Sequence, residues 1–190
     1  MGDSSKPTIS SPVLGQMVEV CIVSPDYKRT VDGLMKLGVG PFQVFQFNKT
    51  TVPRQEWYGG PGDFELNVAF AKQGPLTFEI MQPTAGKSLM MEYLEKNGGK
   101  EGIQHVAFDM GQLPMAERQK RMKDRGFKPA MQGWWQGRKG QCHFCFFDTH
   151  GATGTVFETI EFSDDWEDPE FEWYPHAPPK EAGVEHGIEK

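Results

Sequence analysis

Hydrophobic and polar residues alternate along many short segments of this chain. A repeat of two residues is typical of half-buried β-strands. Helical spacing appears in three segments of the chain. In the first half, Ser24-Pro25-Asp26 precedes Val31, Leu34, Met35 and Leu37, and Gly38 follows them, which predicts a helix with a glycine terminator. The predicted strands cover residues 17–24, 42–47, 64–71, 75–82, 103–110, 127–132, 140–147 and 154–162.

The order of these elements repeats along the chain. A second helix is predicted near 113–125, ending at Gly126, so that each half has the order β-α-β-β-β. The segment 85–98 has apolar residues at helical spacing and ends at Asn97-Gly98-Gly99, which predicts a linking helix. The sequence therefore predicts an α+β protein made of two βαβββ modules.

Composition sets the boundaries around these modules. Residues 1–14 are rich in Ser and Pro and are expected to be disordered. Residues 15–162 form the bimodular domain, with module one at 15–83, the linking helix at 84–99 and module two at 100–162. The acidic, Pro-rich segment 163–190 is expected to be an extended tail, with its first half held to the body by aromatic residues: Trp166, Phe171, Trp173 and Tyr174.

Charge and hydropathy exclude several classes of function. The net charge of −6 and the absence of a polybasic segment argue against nucleic acid or an anionic membrane as partner. No apolar stretch approaches the roughly 20 residues of a spanning helix. Three cysteines without a second Cys pair favour free thiols in a reducing, cytoplasmic setting over structural zinc.

Glu158 is the most informative residue of the pattern. In the strand at 154–162 it shares a face with Val156, Ile160 and Phe162. A carboxylate on such an apolar face needs a strong partner, because a lone buried charge costs several kcal/mol or more. The partner is either a metal ion or, in the simpler interpretation, a buried arginine or backbone donors.

Three further strands carry a potential metal ligand. Glu19 and His105 lie in the middle of the first strand of their modules, and Glu79 lies in the last strand of module one, as Glu158 does in module two. In each of these three strands, the ligand candidate points away from the apolar face best suited to pack on a helix. A pseudo-twofold relation between the modules would place all four side chains around one point.

In the order of its elements and in several short stretches, the chain resembles the vicinal oxygen chelate superfamily, which includes glyoxalase I, methylmalonyl-CoA epimerase and the extradiol dioxygenases. The linker Leu94-Glu95-Lys96-Asn97-Gly98-Gly99 is similar to the epimerase branch. The resemblance implies a cupped, partly closed mixed sheet with the helices outside. The stretches that carry it are Met17–Asp26, Phe78–Pro83, Gly102–Phe108 and Gly154–Glu158.

The resemblance also implies a ligand set and a chemistry. The superfamily's metal positions fall on Glu19, Glu79, His105 and Glu158, with one divalent ion: Zn, Mn, Co, Ni, Mg or Fe. Glyoxalases and epimerases usually carry His or Gln at the position of Glu19, and an extradiol dioxygenase needs His there. Glu19 is therefore either a ligand or a neighbour of a site with two Glu and one His. Three carboxylates make an oxygen-rich site suited to hard divalent ions.

The expected reaction is an isomerisation, epimerisation or lyase step. Metal-chelated carbonyl oxygens would stabilise an enolate, and Glu158 or Glu19 would act as base, with His143 as a further acid or base candidate. Aromatic residues that the sequence places on Gly-rich loops suggest a flat, aromatic or polyketide-like substrate, and a nearby arginine could hold an anionic group. The predicted substrate-binding residues are Trp57, Tyr58, Trp134, Trp135 and Arg138.

Two other functions remain open at the level of sequence. A metal-free binding protein for small molecules on the same scaffold would use the aromatic cleft alone. A non-heme dioxygenase would prefer iron and consume oxygen. Cupped modules of this kind leave sheet edges to cover, so a homodimer is expected, with the four ligands supplied by one chain or shared between two.

Overall fold

Residues 9–178 are described in the structure, which is a computed structural model of the chain. This part of the chain forms four helices: α1 (Tyr27–Met35), α2 (Leu89–Lys96), α3 (Met115–Lys123) and α4 (His150–Thr153). It also forms eleven strands: β1 (Met17–Val23), β2 (Phe42–Phe47), β3 (Arg54–Trp57), β4 (Gly60–Pro61), β5 (Glu65–Gln73), β6 (Leu76–Ala85), β7 (Gly102–Phe108), β8 (Pro129–Gln136), β9 (Gln141–Phe147), β10 (Val156–Phe162) and β11 (Glu172–Tyr174).

All eleven strands belong to one mixed sheet, in the order β11-β2-β5-β6-β1-β7-β10-β9-β8-β3-β4. The first strands of the two modules, β1 and β7, run antiparallel at the centre. The last strands, β6 and β10, flank them in parallel pairings. The predicted α+β fold is thereby confirmed, and the pseudo-twofold arrangement brings the two first strands and the two last strands together.

The sheet curls until its two halves touch. Strands β2 and β8 are seven positions apart, which would separate them by about 33 Å in a flat sheet. Yet the ring centroids of Phe45 on β2 and Trp135 on β8 lie 4.8 Å apart, and those of Phe47 and Phe144 lie 5.5 Å apart. These aromatic contacts belong to the main hydrophobic core, which therefore fills the concave side of the sheet. The sheet remains open, with β11 and β4 at its edges.

Both edges are covered by segments that lie outside the β-α-β-β-β pattern. The Gly/Pro-rich segment around Trp57 and Gly60 was expected to be a loop, but it forms the β3–β4 hairpin. Strand β3, from module one, pairs with β8 of module two. At the other edge, β11 of the tail pairs with β2. Short edge strands of this kind limit the length of unpaired backbone.

The helices begin and end close to the predicted positions. The side chain of Asp26 accepts a hydrogen bond from the backbone N–H of Arg29 at 3.1 Å, which caps α1. Ser88 caps α2 in the same way through Met91, and Asn97 follows the helix as its C-cap. Helix α1 packs against β5 and β6 through Val31, on the face of the sheet opposite the main core.

The tail contacts the body where its aromatic residues occur. Trp166 is buried and packs against Trp135 and Phe162, at ring-centroid distances of 5.1 and 5.2 Å. Phe171 packs against Phe45 at 5.5 Å. Segment 163–174 thus passes from the end of β10 to the far side of the sheet, where β11 pairs with β2 and forms the edge. Residues 1–8 and 179–190, which include most of the expected disordered N-terminus and the end of the tail, lie outside the described residues.

Candidate metal centre

The four predicted ligands lie on four adjacent central strands, one on each. Strand pairing aligns Glu19 with Ala107, and Ala107 with Glu158, so these two carboxylates occupy the same row across the sheet. Glu79 and His105 both align with Cys21 in the neighbouring row. Residues two apart on a strand share a face, so both rows point into the concave side. All four side chains come from one chain.

The ligand atoms of this cluster, which we call the acidic cluster (Glu19, Glu79, His105 and Glu158), lie within 4.8 Å of one another. Nε2 of His105 lies 2.9 Å from Oε2 of Glu79 and 3.3 Å from Oε2 of Glu158. Burial is nearly complete, with exposed fractions of 5% for Glu19, 2% for Glu79, 0% for His105 and 4% for Glu158. Buried charges are strongly coupled because water does not screen them.

The proton affinities follow from burial and mutual repulsion. Burial, with the charges of Glu79 and Glu158, raises the pKa of Glu19 well above its usual value. Burial also raises the pKa of Glu158 to about 7, although His105 partly offsets the effect. Burial alone would lower the pKa of His105, but its contacts with Glu158 and Glu79 outweigh burial and raise it to about 9. Without a cation, the acidic cluster therefore retains protons near neutral pH.

Within residues 9–178, two carboxylate oxygens of the acidic cluster have no hydrogen bond of good geometry: Oε1 of Glu19 and Oε2 of Glu158, for which the 3.3 Å ion-pair contact with His105 is the nearest substitute. A buried carboxylate oxygen without a donor is costly, since the lost hydration is not replaced. The simpler interpretation, a carboxylate paired with arginine or backbone donors, does not account for these two atoms. Three carboxylates and one imidazole within a few ångströms fit a hard divalent cation, which would satisfy both oxygens at once.

Two residues beside the acidic cluster did not feature among the predicted ligands. Cys21 lies between Glu79 and His105 in the same row, and the three could also hold an ion. Burial, followed by the charge of Glu79 and a hydrogen bond to it, raises the pKa of the Cys21 thiol. Oε1 of Gln104 lies 2.6 Å from Nδ1 of His105. The sequence signals are weak: Cys21 is two residues after Glu19, and Gln104 directly precedes His105.

Two neighbouring spaces lie beside the acidic cluster and share part of their lining. The inner slot, of about 40 Å³, is bounded by Glu19, Glu79 and Glu158 and otherwise by apolar side chains and a thiol: Phe47, Phe70, Met81, Trp135, Cys142, Phe144, Ile160 and Phe162. The outer pocket, of about 260 Å³, lies at the start of β1 and β6 and the end of β7 and β10. Glu19, Ile160 and Phe162 border both spaces.

The structure does not bring His143 to the acidic cluster. Its neighbours on β9, Cys142 and Phe144, line the inner slot, so the side chain of His143 points to the opposite face. There its ring stacks on Trp134 with centroids 4.0 Å apart, and its Nε2 lies 3.0 Å from Oε1 of Gln132. Burial, followed by the nearby charge of Arg54, lowers the pKa of His143 to about 4.

The predicted loop position of Trp134 and Trp135 is wrong, because β8 continues to Gln136. Successive strand residues alternate faces, so the two indoles separate. Trp135 is 3% exposed and lines the inner slot. Trp134 lies outside, with the guanidinium carbon of Arg54 3.7 Å from its ring centroid.

The other predicted substrate contacts also lie away from the acidic cluster. Trp57 is on β3 and packs against the main core, while Tyr58 is half exposed in the β3–β4 turn. Tyr58 lines a separate pocket next to α2. Arg138 donates from Nε to the backbone oxygen of Asp168 at 2.9 Å, which ties it to the tail. Of the five predicted substrate-binding residues, Trp135 alone borders the inner slot.

Comparisons with known proteins are consistent with this architecture. A model of the family described as the Glyoxalase/Bleomycin resistance protein/Dioxygenase superfamily matches residues 19–146. Methylmalonyl-CoA epimerase from Mycobacterium tuberculosis is similar in structure, with a TM-score of 0.56 and 16% identity over 82% of this chain and 93% of that chain. A search of curated proteins finds no match.

Two further solved structures have the same fold. A variant of Streptomyces coelicolor methylmalonyl-CoA epimerase in complex with 2-nitronate-propionyl-CoA has a TM-score of 0.56 and 20% identity, over 82% of this chain and 99% of that chain. A hypothetical protein from Bacillus halodurans has a TM-score of 0.54 and 17% identity, over 80% of this chain and 98% of that chain. At these identities the likeness establishes the fold alone. Within residues 9–178, no helix has the length and apolar character needed to cross a membrane.

Proposed function

Because this chain belongs to the glyoxalase/bleomycin resistance protein/dioxygenase superfamily, we propose that it is a metal-dependent isomerase, epimerase or lyase. Its substrate would be a carbonyl compound that loses a proton from the carbon next to the carbonyl group. The observation that carries the proposal is the acidic cluster, with four buried ligand atoms within 4.8 Å and two carboxylate oxygens without a hydrogen bond of good geometry.

Glu19, Glu79, His105 and Glu158 would hold the divalent ion. When bound, the ion supplies Lewis-acid polarisation of substrate oxygens. Nε2 of His105 and Oε2 of Glu79 lie 2.9 Å apart, close enough to bind the same ion, so these two residues are suited to a holding role. Glu19 and Glu158 border the inner slot and each carry an oxygen without a hydrogen bond of good geometry, which leaves them able to meet a substrate.

Glu158 is the stronger candidate for the base. In the metal-free protein, burial raises its pKa to about 7, so its surroundings favour uptake of a proton more than those of an exposed carboxylate do. In the proposed step, the C–H bond breaks, the proton passes to Oε2 of Glu158, and the electron pair moves to the carbonyl oxygen to give an enolate. For an isomerisation, Glu158 then returns the proton to a neighbouring atom. For an epimerisation, protonated Glu19, which borders the same slot, would donate a proton to the opposite side of the carbon, and Glu158 would keep the one it removed.

The walls of the inner slot protect this step. Phe70, Trp135 and Phe144 surround the carboxylates with apolar surface, which excludes water that would otherwise exchange with the transferred proton. A dry site also strengthens the interactions of charges that develop during the reaction.

The experiment combines metal analysis with proton exchange. The protein is purified without chelator, its metal content is measured by plasma mass spectrometry, and exchange of the CH₂ protons of 2-hydroxyacetophenone is followed by NMR in D₂O. We expect one divalent ion per chain and exchange faster than in buffer. His105→Ala should lose metal, whereas Glu158→Gln should lose exchange by about 100-fold or more.

Glu161→Gln is the matched control, because Glu161 lies on the same strand but bonds to the backbone of Met115 instead of facing the acidic cluster. It should keep both metal and exchange. Wild-type metal content and exchange in Glu158→Gln and His105→Ala would refute the proposal. A protein that contains no metal but binds small molecules would instead be a binding protein on this scaffold.

A further inference from the structure

The space beside the acidic cluster restricts the chemistry of the substrate. Within residues 9–178, the side chains that border the inner slot include three carboxylates and no Lys or Arg. The one imidazole of the acidic cluster already contacts Glu79 and Glu158 through Nε2. With a divalent ion bound, three ionised carboxylates still leave one negative charge in excess. A carboxylate at the reacting end of a substrate would enter a negative, poorly hydrated space without a counter-charge.

The size of the inner slot restricts which part of the substrate enters it. A water molecule needs about 10–15 Å³ measured in this way, so a slot of about 40 Å³ admits only a few atoms. Trp135 limits this space and is held in place by aromatic neighbours on both sides, Phe45 and Trp166. The reacting carbon and its oxygen atoms fit the slot, but a ring does not.

The body of the substrate must therefore lie in the outer pocket. Its volume of about 260 Å³ exceeds the roughly 150 Å³ of a cavity known to hold benzene, so one ring with substituents fits. Its walls include Val18, Pro75, Phe108 and Phe162, which offer apolar contact. Lys72 and Asp109 bring one charge of each sign, so together they add no net charge.

We propose that the reacting end of the substrate, with its oxygen atoms, is uncharged, that it is joined to a ring-sized apolar body, and that the body occupies the outer pocket. The inference rests on the proposed function for the role of the oxygen atoms. Ile160 and Phe162, which border both spaces, would separate the reacting end from the body and so determine the permitted shape.

Two probes of the same skeleton test the charge preference. 2-Hydroxyacetophenone and benzoylformate share a phenyl ketone, but one ends in a neutral CH₂OH group and the other in a carboxylate. Binding is measured by calorimetry to both metal-free and manganese-loaded protein at pH 8. We expect the neutral probe to bind at least ten-fold more tightly in both states. Equal or tighter binding of benzoylformate, or binding of neither probe, would overturn the inference.

Variants test whether the body of the substrate lies in the outer pocket. Val18→Glu places a carboxylate in the wall of the outer pocket and should weaken binding of 2-hydroxyacetophenone at least ten-fold. Tyr58→Glu is the control, since Tyr58 lines the separate pocket next to α2, and should leave binding unchanged. If Val18→Glu does not fold, Phe162→Ala replaces it and should favour a naphthyl analogue of the probe over the phenyl compound. A folded Val18→Glu protein, or a Phe162→Ala protein, with wild-type binding preferences would refute the outer pocket.

The two proposals can fail separately. Selectivity for the neutral probe in the metal-free protein does not depend on metal content or on turnover. A selective protein without metal would therefore support the substrate class and refute the proposed function. A metal-containing protein that exchanges protons but prefers benzoylformate would support the proposed function and refute the substrate class.

Discussion

Oε1 of Gln104 lies 2.6 Å from Nδ1 of His105, and this contact determines which ring nitrogen faces the acidic cluster. An amide oxygen can only accept a hydrogen bond, so Nδ1 carries the hydrogen. In the neutral ring, Nε2 then presents its lone pair towards the carboxylates. Gln104 is itself buried, which keeps this bond away from water. Partners of this kind orient metal-binding histidines in many proteins.

Gln104→Leu is expected to weaken metal binding by about 10- to 100-fold, because it removes the acceptor that fixes the ring. Gln104→Glu keeps an acceptor and should bind metal more tightly than Gln104→Leu. Competition with a fluorescent chelator measures the affinities. Nitrogen-15 NMR of the metal-free protein above pH 9, where the ring of His105 is neutral, measures the tautomer directly. An unchanged Nδ1–H signal in Gln104→Leu under these conditions would contradict the assigned role.

Metal affinity should rise with pH from about 6 to 9, because Glu158 and His105 must both lose a proton to bind a cation. Ligands must lose their protons to bind a cation, and burial raises the pKa of Glu158 to about 7 and that of Glu19 well above its usual value. Calorimetry at pH 6 in two buffers of different ionisation enthalpy should detect protons released on binding. Glu19→Gln should release fewer protons. Affinity that is constant between pH 6 and 8 would show that these carboxylates are not ligands.

The metal-free fold should lose stability as pH rises from 5 to 9. The pKa of Glu158 in the folded state, about 7, exceeds its unfolded value, so the folded state binds more protons in this window. The pKa of His105, raised to about 9, acts in the same direction, because its favourable contacts are lost as it deprotonates. Urea unfolding of metal-free protein measures the trend, and added manganese should reduce it.

His143 should make the fold less stable as pH falls, which is the opposite of the trend expected for Glu158 and His105. Burial, followed by the charge of Arg54, lowers its pKa to about 4, so protonation favours the unfolded state as pH falls from about 6.5 to 4. His143→Phe keeps the ring stacked on Trp134 and cannot protonate. The difference in unfolding free energy between wild type and His143→Phe should therefore shift in favour of the variant below pH 6.5. A difference that is independent of pH would refute the assignment.

Trp166→Ala should destabilise the fold by about 3–5 kcal/mol, the usual cost of truncating a large buried aromatic side chain. Trp166 fills the space between Trp135 and Phe162, so its loss leaves a cavity above the inner slot. Trp173→Ala, at a half-buried position in β11, is the matched comparison and should cost less. Denaturant unfolding measures both, and equal losses would mean that Trp166 has no special packing role.

The positions of the acidic cluster could be predicted from the sequence because each of its residues is a potential metal ligand in the middle part of a strand-like segment. Alternation fixes the face of a side chain, and equivalent strands of two modules place equivalent faces together. Glu158 differed from the other three in sharing its face with Ile160 and Phe162. The structure accounts for the difference, since these two residues form walls of the inner slot beside the carboxylate.

The surroundings of the acidic cluster were harder to predict. On β9, Cys142, Phe144 and Phe146 face the core on one side, while Cys145 and Phe147 are buried on the other. Both faces are apolar, so the pattern did not reveal which way His143 points. Trp134 and Trp135 follow Gly133, which suggested a loop. Strand β8 continues there because the β3–β4 hairpin pairs with it, and that contact joins residues far apart in sequence.

The β3–β4 hairpin also determines how the protein can be divided. It lies in the first half of the gene, yet Arg54 and Trp57 pair with Trp134 and Met131 in the second. A hybrid joined at the linking helix would place a foreign hairpin against β8. Exchange of whole repeats between relatives therefore breaks native contacts, whereas exchange of 54–61 together with 129–136 preserves them. At the β3–β4 hairpin and β8, one repeat can no longer be replaced without the other.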